Sequence, residues 1–267
     1  MPYAVDDKRR FFKALLNKPQ GPCFVFDFDG TLSPIVDEPS MATVSPALFE
    51  PLSALADLAT IKVISGRPVN FLREKLKVVF ESAKWPVEIF GKYGIERGTL
   101  DGGVTSTYRL NPSALEQLKS LELSMALLMP EGCFIEEKGT STGYHFRSNP
   151  SQMEVIRDRI VENLEELGLD MLELHGGKMV FEVMIVGVPT KGTTIASFAG
   201  AFEAIFFAGD DLGDVEAFQV VADLEEPKGF TVLVRGSSVT EDLVGGVVDL
   251  IVEDQVQLAT VISDFLE

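Results

Sequence analysis

Two apolar runs that each close on a pair of carboxylates constrain this chain more than any other feature: CFVFDFDG at 23–30 and AIFFAGDD at 204–211. Apolar runs of this length, ended by acidic and turn residues, read as strands buried on both faces, which belong to parallel sheets. The same grammar recurs in IKVISG (61–66), VEIFGKYG (87–94) and FTVLVRG (230–236). Helical spacing separates these runs. It appears in PALFEPLSALADLA (46–59), PVNFLREKLK (68–77), TKGTTIASFAG (190–200), DVEAFQVVADL (214–224) and EDQVQLATVISDFLE (253–267). Pro51 is expected to kink or divide the first of these helices, while Pro68 suits a first turn. Strand and helix in alternation predict an α/β fold, a parallel sheet with helices on both faces.

The middle of the chain follows a different pattern. PSALEQLKSLELSMALLM (112–129) and EVIRDRIVENLEEL (154–167) have helical spacing. After the first, CFIEEK and STGYHFR lie close enough to pair as a hairpin; after the second, LDMLELHGGKMVFEVMIV reads as two strands joined at His175-Gly176-Gly177. This predicts an antiparallel α+β insert at 109–186, with 1–108 and 187–267 forming the α/β core.

Charge narrows the function classes. The 267 residues carry 41 acidic against 23 basic side chains, a formal net charge of −18. So acidic a chain repels phosphate backbones and anionic lipid, so neither nucleic acid nor a membrane surface is an expected partner. No apolar stretch approaches the ~20 residues of a membrane helix, and MPYAVDDKRRFFKALL lacks a signal-peptide core. Two cysteines make no disulfide framework, and Cys23 reads as a small buried hydrophobe. The expectation is a cytoplasmic monomer acting on a small molecule.

The chemistry-bearing residues share one placement. Asp27 with Asp29, Ser65 with Gly66 and Arg67, and Asp210 with Asp211 each follow a predicted strand, while Lys191 opens a helix. Ligands of open parallel sheets bind at the carboxyl ends of strands, so these groups are expected to converge on one crevice. Asp27 and Asp29, two apart, would share a strand face, and Gly30 would turn backbone N–H groups toward an anion. A calcium loop of EF-hand type is excluded, because its sixth position would be Leu32 rather than glycine and a strand precedes it. Several carboxylates and a phosphate cannot share a crevice without a cation, and an oxygen-only donor set favours Mg²⁺ over zinc or copper.

DFDGT, SGR, a lysine and GDDxxD in this order resemble the haloacid dehalogenase-like phosphatases. The resemblance implies a Rossmann-like core in which Asp27 is the nucleophile and Asp29 the general acid and base. Ser65 and Lys191 would hold the phosphoryl oxygens, with Gly66 and Arg67 beside them. Mg²⁺ would bind Asp27, Asp210 and the backbone carbonyl of Asp29.

The insert carries its own resemblance. FIEEKGTSTGYHFR is similar to the EEK…HYR stretch of trehalose-6-phosphate phosphatases, GGKMVFE with VPTKG to their GK…E…KG stretch, and GDDLGDVEAF to their GDDxTDEAF. It implies an insert that acts as a substrate-selecting cap, with Glu136, Lys138, Arg147, Lys178 and Glu182 as sugar contacts. Lys178 and Glu182, four apart, are read as lying on one strand face. The implied reaction is hydrolysis of trehalose 6-phosphate to trehalose and phosphate through an aspartyl-phosphate. Departures include Tyr93 for a histidine, Met184 for an arginine, Gly213 for threonine and Val215 for glutamate. Another sugar phosphate (sucrose 6-phosphate or mannosyl-3-phosphoglycerate), a phosphomutase reaction and a non-catalytic sugar-phosphate sensor remain open alternatives.

Overall fold

The computed structural model describes residues 4–177, 179–226, 228–235 and 245–267. The chain divides into two compact units, Met1–Thr107 with Pro189–Glu267, and Tyr108–Val188.

The first unit is built on an eight-stranded sheet. Its strands are β1 (Pro22–Phe26), β2 (Thr60–Ile64), β3 (Val87–Gly91), β4 (Glu96–Thr99), β5 (Val104–Ser106), β10 (Ala204–Gly209), β11 (Gly229–Val234) and β12 (Leu250–Val252). The order is β12-β11-β10-β1-β2-β3-β4-β5; the first six are parallel and β4 and β5 antiparallel. β1 is central. From it the chain steps outward through β2 and β3 on one side and through β10, β11 and β12 on the other. The boundary between β1 and β10 is therefore the topological switch point, where such sheets open a crevice. Phe26 pairs with Ala208 there, which brings the ends of both strands level.

Helices cover both faces because both are apolar. Phe24, Phe26 and Phe206 pack toward one cluster, while Cys23, Val25, Ile205 and Phe207 pack toward another. α1 (Val5–Leu15) buries Phe12 edge-on against Phe24 and Phe230, and α8 (Gln255–Asp264) is followed by Phe265 in the same aromatic cluster. Such edge-to-face pairs add modestly to simple burial. α2 (Phe49–Ala56), α3 (Val69–Phe80), α6 (Lys191–Ala199) and α7 (Val215–Ala222) complete the unit.

Pro51 does not divide a helix. A short 3-10 turn, Pro46–Leu48, precedes α2, so Pro51 sits in the first turn of α2, where its missing N–H has no intrahelical partner to lose. β4 and β5, unforeseen in the sequence, are short, mostly exposed and lack apolar alternation.

The second unit holds α4 (Pro112–Ala126), α5 (Met153–Glu166) and a sheet of β6 (Phe134–Glu137), β7 (Ser141–His145), β8 (Leu172–Gly177) and β9 (Val180–Ile185). The sheet is antiparallel, in order β6-β7-β9-β8. β9 alternates strictly, burying Phe181, Val183 and Ile185 and leaving Val180, Glu182 and Met184 half-buried. α4 buries Leu118, Leu121 and Met125 and α5 buries Ile156 and Ile160, closing the core on one sheet face. The hairpin joint falls later than expected. His175, Gly176 and Gly177 extend β8, paired with Glu182, Phe181 and Val180.

Candidate active site

At the switch point, β1 ends at Phe26 and the Asp27 N–H donates to the Ala208 carbonyl at 2.9 Å, which continues the parallel pairing by one residue. The Asp27 carboxylate is buried and accepts from Lys191 Nζ at 2.7 Å. Lys191 opens α6, whose start is fixed by a capping box between Thr190 and Thr193. Its ammonium also donates to Asp214 Oδ1 at 2.7 Å and lies 3.9 Å from Asp211 Oδ1. Burial alone would lower this lysine, but the surrounding carboxylates of Asp214, Asp27 and Asp211 hold it well above the ordinary range.

Asp214 folds back beneath the end of β10. Its Oδ2 accepts from the N–H groups of Asp210 and Asp211 at 3.0 and 3.1 Å, while Oδ1 faces Lys191. This requires Gly209, because a Cβ there would lie 2.4 Å from the Asp214 carboxyl carbon. Both oxygens of Asp214 are thus committed to holding the loop and the lysine. Gly30 is constrained twice: its φ is +85°, and a Cβ would meet Asp210 Oδ2 at 2.0 Å. Thr31 Oγ1 donates to Asp210 Oδ1 at 3.4 Å, and Gln255 ties down the Gly30 carbonyl at 2.6 Å.

Asp27, Asp210 and Asp214 each offer an oxygen within 4.8 Å of the others. Burial is the first cause that raises Asp27 to about 7 and Asp210 to about 8; Lys191 opposes it in both, and neighbouring carboxylates add to it. One ammonium does not balance this cluster. With Asp214 engaged, the donors of this group left for a cation are carboxylate oxygens of Asp27 and Asp210. An all-oxygen set of this kind fits a hard divalent cation.

Asp29 is placed differently from the sequence expectation. The strand stops before Asp27, so the period of two does not hold, and the two carboxylates turn to different partners. Asp29 is half-buried and accepts from Arg67 through both oxygens, Nε to Oδ2 at 2.9 Å and Nη2 to Oδ1 at 2.8 Å. Arg67, expected at the substrate, is engaged by Asp29 and lies over the Phe71 ring. Ser65 is buried and its Oγ accepts from the Arg67 N–H at 3.1 Å. Gly66 packs on Tyr93, whose hydroxyl would lie 2.8 Å from a Cβ at that position. Tyr93 itself has φ +60°, and its carbonyl accepts from Thr194. This brace between the β3 end and α6 left no legible mark in the sequence.

In the second unit, Glu136 and Lys138 share a sheet face with Glu182. Lys138 Nζ lies 3.4 Å from Glu182 Oε1 and 3.8 Å from Glu136 Oε2, and Ser141 Oγ donates to Glu182 Oε1 at 2.6 Å. Glu137 alternates to the other face and pairs with Lys119 of α4, so it does not join the set. Arg147 follows β7 and is exposed. Lys178, read as sharing a strand face with Glu182, lies outside the described residues.

The sequence profile of the trehalose-phosphatase family matches residues 25–244. A trehalose-phosphate phosphatase of Mycobacterium tuberculosis is 28% identical over 230 residues, covering 80% of this chain and 54% of that protein. A bifunctional trehalose-6-phosphate synthase/phosphatase of Thermoproteus tenax is 30% identical over 204 residues, covering 73% of this chain and 26% of that protein. The chain thus spans about half the length of the mycobacterial phosphatase it matches and about a quarter of the Thermoproteus tenax protein. In fold it is similar to the trehalose-6-phosphate phosphatase of Aspergillus fumigatus, with a TM-score of 0.70 at 22% identity over 99% of this chain and 98% of that one. With a profile match over most of its length, on a fold that gathers DFDGT, SGR, Lys191 and GDD at one sheet edge, the chain belongs to the trehalose-phosphatase family.

Proposed function

We propose that this chain hydrolyses trehalose 6-phosphate to trehalose and inorganic phosphate through a phosphorylated Asp27. The observation that carries the reading is the buried Asp27–Lys191 pair at the switch point, beside Asp210 and within a family match. A nucleophile there starts next to a buried cation suited to receive the phosphoryl oxygens. The Asp27 carboxylate attacks phosphorus as the bond to the sugar oxygen breaks, and Asp29 gives that oxygen its proton. A water then attacks the phosphoaspartate, Asp29 takes the water's proton, and phosphate leaves with Asp27 restored. To act in this way Asp29 must let go of Arg67, which frees the guanidinium for a phosphate oxygen. Lys191 and Ser65 stabilise the equatorial oxygens throughout, the main task in phosphoryl transfer.

Asp27, Asp210 and the Asp29 carbonyl are the residues that would hold Mg²⁺. Bound there, it supplies positive charge to the phosphoryl oxygens and offsets the carboxylates around them. Sugar selection falls to the second unit, through Glu136, Lys138 and Glu182, with Arg147 and Lys178 as further contacts.

Phosphate release from a panel of sugar phosphates, with Mg²⁺ or with chelator, tests the reading. Mg²⁺-dependent preference for trehalose 6-phosphate supports it. Preference for sucrose 6-phosphate or mannosyl-3-phosphoglycerate would keep the core chemistry and discard the substrate. Binding without phosphate release would replace the enzyme by a sensor.

A further inference from the structure

Thr142 and Glu137 reach toward α4, through Glu122 and Lys119. Strand alternation therefore turns Glu136, Ser141, Gly143, His145 and Glu182 to the opposite face. Glu136, Gly143 and Glu182 form one cross-strand row, with the glycine in the middle. Neighbouring strands lie about 4.8 Å apart, so the two glutamates rise from backbones about 10 Å apart over a residue with no side chain. Ser141 and His145 flank the same glycine along β7. The two carboxylates stand as walls on either side of the buried Gly143, bridged by Lys138 Nζ at 3.8 Å from Glu136 Oε2 and 3.4 Å from Glu182 Oε1.

The walls are held in place by the protein. His145 Nε2 lies 2.9 Å from Glu136 Oε2, and since an ionised carboxylate only accepts, the imidazole donates. The imidazole is itself braced, stacked on the ring of Phe134 with centroids 4.4 Å apart and planes 6° from parallel. Phe134 is 57% exposed, and its described ring contact is this one. Ser141 and Lys138 engage Glu182 Oε1 on β9. Glu136 Oε1 and Glu182 Oε2 have no hydrogen-bond partner among the described residues, which leaves one acceptor on each held carboxylate.

We propose that His145 is a positioning residue for sugar selection, and that the missing side chain at Gly143 gives the imidazole room to take this position. The Phe134-braced imidazole fixes one oxygen of Glu136 so that the other is presented to a sugar hydroxyl. This deepens the proposed function and rests on it for the identity of the sugar. A methyl at Gly143 would sit 3.0 Å from His145 Nε2 and 3.6 Å from Glu136 Oε2, pressing on the pair.

The test compares kcat/KM on the preferred sugar phosphate of the panel with kcat/KM on a small aryl phosphate that has no sugar. For H145A, the loss on the sugar is expected to exceed the loss on the aryl phosphate about tenfold, mainly through KM, as befits one charge-assisted hydrogen bond. H145Q, which can donate from its amide, should recover most of that difference, and G143A should show the same selective loss. Equal losses on both substrates, or an H145Q no better than H145A, would overturn the proposal. If the wild-type enzyme prefers a sugar other than trehalose 6-phosphate, the substrate assignment fails while the His145 comparison stays decisive on the sugar it does use. Release of phosphate from none of the panel would overturn both.

Discussion

Lys191→Met isolates the electrostatics of the site. Its side chain is 4% exposed, between Asp27 at 5% and Asp214 at 0%, and it donates to both at 2.7 Å. Methionine keeps much of the volume and removes the charge, which leaves buried carboxylates without their cation. Breaking a buried pair in this way costs about 3–5 kcal/mol. At about 2–4 °C per kcal/mol for a domain of this size, the melting temperature should fall by on the order of 10 °C. The assay is thermal unfolding in chelator at pH 8, repeated at pH 6. The loss should be smaller at pH 6, where Asp27 and Asp210, raised to about 7 and about 8, hold protons and need less compensation. Turnover should fall by about 10²–10³ with Mg²⁺ present, the usual cost of removing one preorganised donor from a transition state. A variant that melts within 2 °C of the parent at pH 8, about the effect of a single kcal/mol, would refute the charge balance drawn for this cluster.

Other perturbations address separate parts of the structure. Gly30→Ala should abolish turnover and weaken Mg²⁺ binding, because its φ of +85° is strained for alanine and its Cβ would fall on Asp210; turnover within twofold of the parent would contradict that packing. In chelator, stability should decline as pH rises from 6 to 8.5. The folded pKa values of Asp27 and Asp210 lie above their unfolded values, so the folded state binds the extra protons and loses that advantage as pH climbs toward about 7 and about 8. Mg²⁺ should flatten this slope; a slope unchanged by Mg²⁺, seen by urea titration at each pH, would count against a cation at these carboxylates. Lys62, buried on β2 against Glu88 and the rings of Phe90, Phe198 and Phe202, is lowered by burial. Lys62→Met should change stability by less than about 1.5 kcal/mol, whereas Glu88→Ala should cost about 2–4 kcal/mol by stranding the lysine. The reverse order in chemical denaturation would show that Glu88 is not its main partner.

The α/β fold was legible because both sheet faces are buried, which writes each parallel strand as an unbroken apolar run. The convergence of Asp27 and Asp210 followed from one rule, that strand ends in such a sheet share an edge, while Lys191 reaches them from the start of a helix. What escaped the sequence depends on where strands stop. Asp27 lies one residue beyond β1, so the alternation that would pair it with Asp29 has already lapsed, and Arg67 takes Asp29 instead. The Gly176-Gly177 pair looked like a turn because glycine is the usual turn residue, yet both are ladder partners in β8. Glu137 sat in a charged run whose members alternate faces, and only the register shows it turned to Lys119. The buried strand IKVISG carries Lys62 inward, and its partners there, Glu88 and three phenylalanines, are a tertiary fact with no local signal.

The most direct measurement is acid-quench trapping during turnover of trehalose 6-phosphate with Mg²⁺, followed by peptide mapping of the phosphorylated residue. Asp29→Asn, supplied with an aryl phosphate whose leaving group needs no proton, should accumulate the adduct, because the base for its hydrolysis is gone. Phosphate found on Asp27, labile to hydroxylamine and absent from Asp27→Asn, is the expected result. Steady phosphate release by Asp27→Asn, or a phosphoryl group trapped on any other residue, would contradict it.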